Sequence, residues 1–270
     1  MIDPYFIPVI LSAGVGGAGT GLLGVQIVGM RMPLLAVVMA HAAMVGAVFV
    51  RLAGLGDAWI VPCSAAAAMV TAIPLGALRP SRLRIDPNVL LGVLFSVTMG
   101  LAFLGIGLCR GDQTTMLSLL WGNLLSVGWG EFAVVASTAA ALVIFVTLFG
   151  KELRAILFSR ELAAAGGVHE GPVWMGYLAL SGVTLAVNLS TVGGLMIFSL
   201  LANPTVAAGQ LVRGYRALLW CSALLGALSA LGGFAAAYLF DFPAGASIVL
   251  TSSVLLGVAV AWRRLRGRHD

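Results

Sequence analysis

The feature that most constrains this chain is a succession of apolar runs, each about long enough to cross a lipid bilayer. A helix needs about 20 residues to span the roughly 30 Å hydrocarbon core. Such runs cover residues 5–30, 33–50, 58–78, 89–108, 132–149, 173–189, 192–211, 217–240 and 246–262. Only 9% of the 270 residues are charged, against about a quarter in soluble domains. The sequence predicts an all-α polytopic membrane protein with about nine transmembrane helices, forming a single domain over residues 1–270.

Glycines crowd the first apolar run between Gly14 and Gly24. A phosphate-binding loop would need a strand before it and a Gly-Lys-Ser/Thr after it, and the chain has neither. Small residues in a membrane span instead allow helices to approach closely. We therefore expect close helix packing here and no ATP hydrolysis by this chain.

The segment Gly111–Gly130 is apolar at its centre but short and interrupted. We interpret it as a re-entrant or interfacial segment, with Trp121 and Trp129 as anchors at the membrane surface.

If that segment does not cross, the basic residues fall mostly on one side of the membrane. The side that holds the loop after residue 149 then carries 13 of the 15 basic residues, and the other side carries Arg51 and Arg110. By the positive-inside rule, the N-terminus is outside and the C-terminus is in the cytoplasm. The basic residues behind the net charge of +5 thus lie in short loops, where they orient the chain in the membrane. This charge therefore does not indicate nucleic-acid binding.

The longest internal polar interruption is Lys151–Pro172, which we place in the cytoplasm. Ser159 can open a short helix, and the Gly166-Gly167 pair would end it. A short helix between two spans suggests a docking element, and a solvated linker is the alternative.

Few polar residues fall within the spans. Among them His41 is the one histidine, and Glu131 lies near the predicted outer mouth, where a carboxylate could meet a cation. Polar side chains in lipid are functional candidates, and a hydrogen bond that joins two helices is the alternative for each. The other candidates of this kind are Gln26, Asn123 and Asn188.

Six segments in order resemble the zinc/manganese/iron permease family of ABC importers, over nearly the whole chain. They are Met30–Ala42, Ser81–Ser96, Leu119–Val127, Phe158–Gly167, Ser199–Ala208 and Asp241–Leu250. The first matches the histidine-bearing motif of the second span, and the fourth matches the segment that couples the permease to its ATPase.

This resemblance implies a homodimer in the bacterial inner membrane, with a path for a divalent metal along its two-fold axis. Two ATPase subunits would bind the ATP and dock at Phe158, Glu161, Ala163 and Gly167, with Ala163 in a small-residue contact surface. A metal-binding protein would deliver the ion outside. No cofactor is implied on this chain.

One departure concerns the metal. The family places an aspartate four residues before the histidine, where both share a helix face, but this chain has Val37 there. His41 is then a metal-path candidate, or a histidine hydrogen-bonded in a helix interface. Met39 and Met44 offer sulfur but are more typical of packing, so the resemblance leaves the metal unidentified.

Two other classes stay open. A secondary transporter or channel would need no ATPase, and a membrane scaffold would transport nothing. The scarcity of carboxylates within the spans argues against proton coupling.

Overall fold

The computed structural model describes residues 6–77, 86–109, 122, 124, 127–193 and 196–266, and these form helices without any strand. In chain order the α-helices are α1 (Phe6–Gly29), α2 (Leu34–Leu52), α3 (Ile60–Ala77), α4 (Pro87–Leu108), α5 (Trp129–Leu148), α6 (Gly150–Phe158), α7 (Arg160–Ala165), α8 (Glu170–Val192), α9 (Ile197–Leu211), α10 (Tyr215–Phe240) and α11 (Ala244–Arg266). The 3-10 helix Asp57–Trp59 leads into α3. Most of the predicted interfacial segment Gly111–Gly130 lies outside the described residues, as does most of the basic loop that follows α3.

Eight helical stretches in the described part of the chain are long and apolar enough to cross a membrane. They are α1, α2, α3 with its 3-10 turn, α4, α5, α8, α10 and α11. The predicted all-helical polytopic fold is confirmed.

The predicted span over residues 192–211 is shorter than expected. Gly193 adopts φ 93°, a left-handed conformation that ends α8, and the next described helix begins only at Ile197. The resulting α9 has 15 residues, or about 22 Å at 1.5 Å per residue. That length falls short of the roughly 30 Å hydrocarbon core.

Helix α1 lies at the centre of one half of the bundle, where it packs against α5, α8, α9 and α10. Its glycines bring α10 into backbone contact: a Cβ on Gly17 would lie 2.5 Å from the Gly226 carbonyl oxygen. The close packing predicted for this glycine-rich run is therefore confirmed.

A polar junction fixes this contact. The Ser222 hydroxyl on α10 donates to the Gly21 carbonyl at 2.6 Å, and the Thr205 hydroxyl on α9 lies 2.9 Å from Ser222 Oγ. Small hydroxyl side chains thus join α1, α9 and α10 where a larger residue would hold the helices apart.

The other half of the bundle contains α2, α3 and α4, with α8 between the two halves. The Tyr177 hydroxyl on α8 donates to the Leu23 carbonyl of α1 at 2.9 Å. Helix α8 therefore positions the two halves against each other.

Candidate functional site

His41 lies in the third turn of α2 and is 1% exposed. Its Nδ1 is 2.9 Å from the Val37 carbonyl, and its ring packs edge-on against Phe95 of α4 with centroids 5.0 Å apart. A carbonyl only accepts hydrogen bonds, so Nδ1 must carry the ring proton. In the neutral ring Nε2 then bears a lone pair, and this buried atom has no hydrogen-bond partner among the described residues.

A neutral imidazole nitrogen without a hydrogen-bond partner can bind a metal ion, but the described residues around His41 supply few further metal ligands. No group of three His, Cys, Asp or Glu side chains that could hold a metal occurs among the described residues. Met39 and Met44 are fully buried and belong to apolar clusters, which is the packing role favoured from sequence. Among the described residues, His41 thus offers one potential ligand atom without the further side chains of a metal site.

Glu131 lies in the first turn of α5 and is exposed. Its Oε2 accepts from the Gly128 backbone N–H at 3.0 Å. The carboxylate thus caps its own helix, and its second oxygen accepts no hydrogen bond from the described residues.

The structure does not bring these two candidates together. Helices α1 and α5 run in the same direction, because Gly16 faces Val135 and Gly19 faces Ala139. Helix α2 returns from the far end of α1. The carboxylate therefore lies at the end where α1 begins, whereas the histidine is about 10 Å from the opposite end at 1.5 Å per residue.

Two other polar residues singled out from the sequence join helices. The Asn188 amide on α8 donates to Thr20 Oγ1 on α1 at 3.1 Å. The Gln26 amide on α1 donates to the Leu153 carbonyl of α6 at 2.7 Å, and its oxygen accepts from the Tyr215 hydroxyl at 3.3 Å. The alternative considered from sequence, hydrogen bonding between helices, is confirmed for both, and Asn123 lies outside the described residues.

The predicted short helix forms as α7, and we call Gly150–Ala165 the α6–α7 segment. Ser159 caps α7 by accepting from the Leu162 N–H at 3.3 Å. Gly167 has φ 82°, and the Val168 N–H donates to the Ala163 carbonyl at 3.0 Å. This bond is the six-residue closure of a Schellman motif, so the helix ends at the predicted glycine pair.

A buried ion pair closes the same loop. Arg160 at the start of α7 contacts Glu170 at the start of α8, with Nη2 to Oε2 at 2.8 Å and Nε to Oε2 at 3.0 Å. The two side chains are 17% and 8% exposed. The pair was not predicted, although opposite charges on either side of a Gly-Gly turn are a signal that could have suggested it.

The side chains of the α6–α7 segment divide into an outer and an inner set. Phe158 is 84% exposed, Leu162 is 61% exposed and Glu161 is also exposed. Ala163 is 5% exposed and packs into the main apolar cluster. The expected small-residue contact surface is therefore wrong at Ala163, because α7 turns this residue inward and leaves Ala164 and Ala165 outside.

These features define a polytopic helical membrane protein with a rigid, partly apolar segment at one end of its bundle. A family model described as the ABC 3 transport family matches residues 3–263. The chain belongs to the ABC 3 transport family, and the resemblance predicted from six motifs is confirmed. It is accordingly an integral membrane transport permease.

Relatives and one solved structure agree with this assignment. The "Manganese transport system membrane protein MntC" of Halalkalibacterium halodurans is 27% identical, over 94% of this chain and 86% of the relative. The "High-affinity zinc uptake system membrane protein ZnuB" of Haemophilus influenzae is 24% identical, over 92% and 94%. The solved "PsaBC from Streptococcus pneumoniae in complex with Fab" has the same fold, with a TM-score of 0.84 at 22% identity over 96% of this chain and 91% of that one.

Proposed function

We propose that this chain is the permease subunit of an ABC importer for a divalent transition metal, zinc or manganese. Relatives named for both metals support that cargo class. The observation that carries the proposal is the α6–α7 segment, which presents apolar side chains on a rigid support that a passive linker would not require.

An ATPase on a separate chain would dock on Phe158 and Leu162. An exposed apolar pair on a segment outside the spans is suited to bury against a partner. The Ser159 cap, the glycine closure and the Arg160–Glu170 pair hold α7 in place. A push from the ATPase would therefore move the segment as a unit.

The push would reach the spans through α1. The Gln26 side chain binds the Leu153 carbonyl, and Gly29 lies against Leu157. Displacement of α6 would therefore move the end of α1. The glycine face of α1 packs in backbone contact with α10 at Gly17, so α10 would move with it. This chain of contacts links the docking surface to the centre of the bundle.

The charge distribution supports the N-terminus-out orientation in a bacterial inner membrane. The basic residues at the ends of α1, α5 and α11 cluster at the bundle end that holds the α6–α7 segment. At the other end Arg51 is neutralised by Asp57 at 2.7 Å. A cytoplasmic position for the first end satisfies the positive-inside rule.

In this arrangement Glu131 faces outward, where an extracytoplasmic binding protein would release the metal. His41 would act further along the path. Because its Nε2 is enclosed, a transport cycle must open a route to it. The pairing of two copies around the path follows the family resemblance, and the described residues of one copy alone supply no complete ligand set.

The alternative is an ATPase-independent secondary transporter or channel. Such a protein has no need for a braced apolar surface outside the membrane. Dependence of transport on ATP and on this surface separates the two classes.

The test replaces the apolar pair by Phe158→Asp and Leu162→Asp in one variant. Both side chains are exposed, so folding should persist while the ATPase subunit of the same importer no longer co-purifies. Phe242→Asp is the matched control, because Phe242 is 59% exposed but lies in the turn at the opposite end. Normal ATPase recovery with the double variant would overturn the docking assignment.

A further inference from the structure

A cavity of about 820 Å³ opens beside the α5–α6 junction, between the last turns of α5 and the first turns of α10. Its rim carries three basic side chains, Lys151, Arg154 and Arg216. Its wall is apolar and includes Leu148 and Trp220, which are 70% and 52% exposed. Cationic groups above an apolar wall match the two parts of a phospholipid.

The rim cations lack partners within the described part of the chain, where neither an ion pair nor a hydrogen bond involves their side chains. Arg160, by contrast, is held by Glu170. An unpaired basic cluster at a membrane surface attracts phosphate. The rim therefore favours an anionic group over the transported cation.

One acidic side chain also faces the cavity. Glu152 has a buried Oε2 without a hydrogen-bond partner among the described residues. A carboxylate oxygen needs a donor, and the ionised phosphodiester of a phospholipid offers none. The ligand should therefore combine an anionic phosphate with a hydroxyl or another donor beside it.

The wall distinguishes a lipid from a soluble phosphate. Leu148 ends a membrane-spanning helix, and Trp220 lies in the second turn of another. Trp is enriched where membrane spans meet the headgroup region. An acyl chain can run along both side chains below the rim, whereas a soluble anion would leave this apolar wall uncovered.

We propose that this cavity, the α5–α10 cavity, binds an anionic phospholipid with a hydroxyl-bearing headgroup of the phosphatidylglycerol type. Lys151, Arg154 and Arg216 contact the phosphate, and Glu152 accepts a hydrogen bond from the headgroup hydroxyl. The acyl chains lie against Leu148 and Trp220. The bound lipid braces α5 and α6 against α10 beside the proposed docking segment.

The test uses the full chain in nanodiscs of phosphatidylcholine with or without phosphatidylglycerol. We expect phosphatidylglycerol to raise the thermal unfolding midpoint by several degrees, since a ligand that binds only the folded state stabilises it. The double variant Lys151→Gln with Arg216→Gln should lose this rise. Arg213→Gln is the control, because Arg213 is exposed three residues from Arg216 but does not line the cavity.

Two further measurements, lipid retention and the thermal shift with other ligands, identify what the cavity binds. Native mass spectrometry from mixed lipid should show retained phosphatidylglycerol on wild type and about tenfold less on the double variant. Glycerol phosphate alone should give no thermal shift, and an equal shift would assign the site to a soluble phosphate. An equal rise with phosphatidylethanolamine, or an unchanged rise in the double variant, would overturn the proposal. Loss of the retained lipid when the ATPase binds would also overturn it, because the basic rim would then be a contact surface for the ATPase.

Discussion

Replacing Gly21 by alanine tests whether close packing of α1 against α10 holds the bundle together. The added Cβ would lie 3.1 Å from the Ser222 carbonyl carbon, 3.3 Å from Gly226 Cα and closer still to the Ser222 carbonyl oxygen. These are backbone atoms, so no rotamer change relieves the contact. The two helices must therefore move apart.

The size of the effect follows from two costs and one gain. Overpacking typically costs about 1–3 kcal/mol, and separation also weakens the 2.6 Å bond from Ser222 to the Gly21 carbonyl, worth about 1 kcal/mol. Better helix propensity of alanine returns about 1 kcal/mol. We expect a net destabilisation of about 1–3 kcal/mol.

Thermal stability in detergent, measured as the monodisperse fraction by size-exclusion chromatography after heating, checks this value. Gly100→Ala on α4 is the control, because a Cβ there meets nothing within 4 Å and the propensity gain is the same. The Gly21→Ala midpoint should fall below wild type, and that of Gly100→Ala should match or exceed it. Equal midpoints for the two variants would refute the packing argument.

Three further predictions concern the metal path and the docking segment. His41→Ala should lower metal uptake at limiting metal concentration by about tenfold or more. Val37→Asp places a carboxylate one helical turn from His41 and should raise zinc or manganese uptake. Unchanged uptake in vesicles for both variants would remove His41 from the path. Gln26→Leu should preserve ATPase binding but lower the metal transported per ATP hydrolysed, and an unchanged ratio would show that α6 drives α1 by another contact. Glu170→Gln should destabilise the loop by up to about 3–5 kcal/mol, because it removes the carboxylate charge that the Arg160 guanidinium contacts. The loss should appear as faster proteolysis at Gly166-Gly167, and Arg160→Leu with Glu170→Leu should recover much of it. Equal cleavage rates in wild type and both variants would contradict the bracing role.

Local signals were sufficient for eight of the nine predicted spans and for α7. Long apolar runs exceed the bilayer thickness whatever their tertiary contacts, and Ser159 with Gly166-Gly167 acts on the adjacent backbone. Helix bounds at these places depend on neighbouring residues alone. The sequence therefore predicted them.

Long-range partners could not be predicted in this way. Gln26 and Leu153 lie 127 residues apart, so their bond depends on how α6 folds back beneath α1. The inward turn of Ala163 has the same origin, because three successive alanines carry no polarity difference to indicate which one packs inside. The shortness of α9 depends on the φ of Gly193, which composition does not specify.

Metal accumulation in vesicles is the most direct test of an ATP-driven permease. The chain is reconstituted with the ATPase subunit and binding protein of its importer, with ATP on the ATPase side and Mn²⁺ or Zn²⁺ on the other. We expect accumulation that requires ATP and disappears in the Phe158→Asp, Leu162→Asp variant but persists in Phe242→Asp. Equal accumulation without the ATPase, driven by a proton or metal gradient, would contradict it.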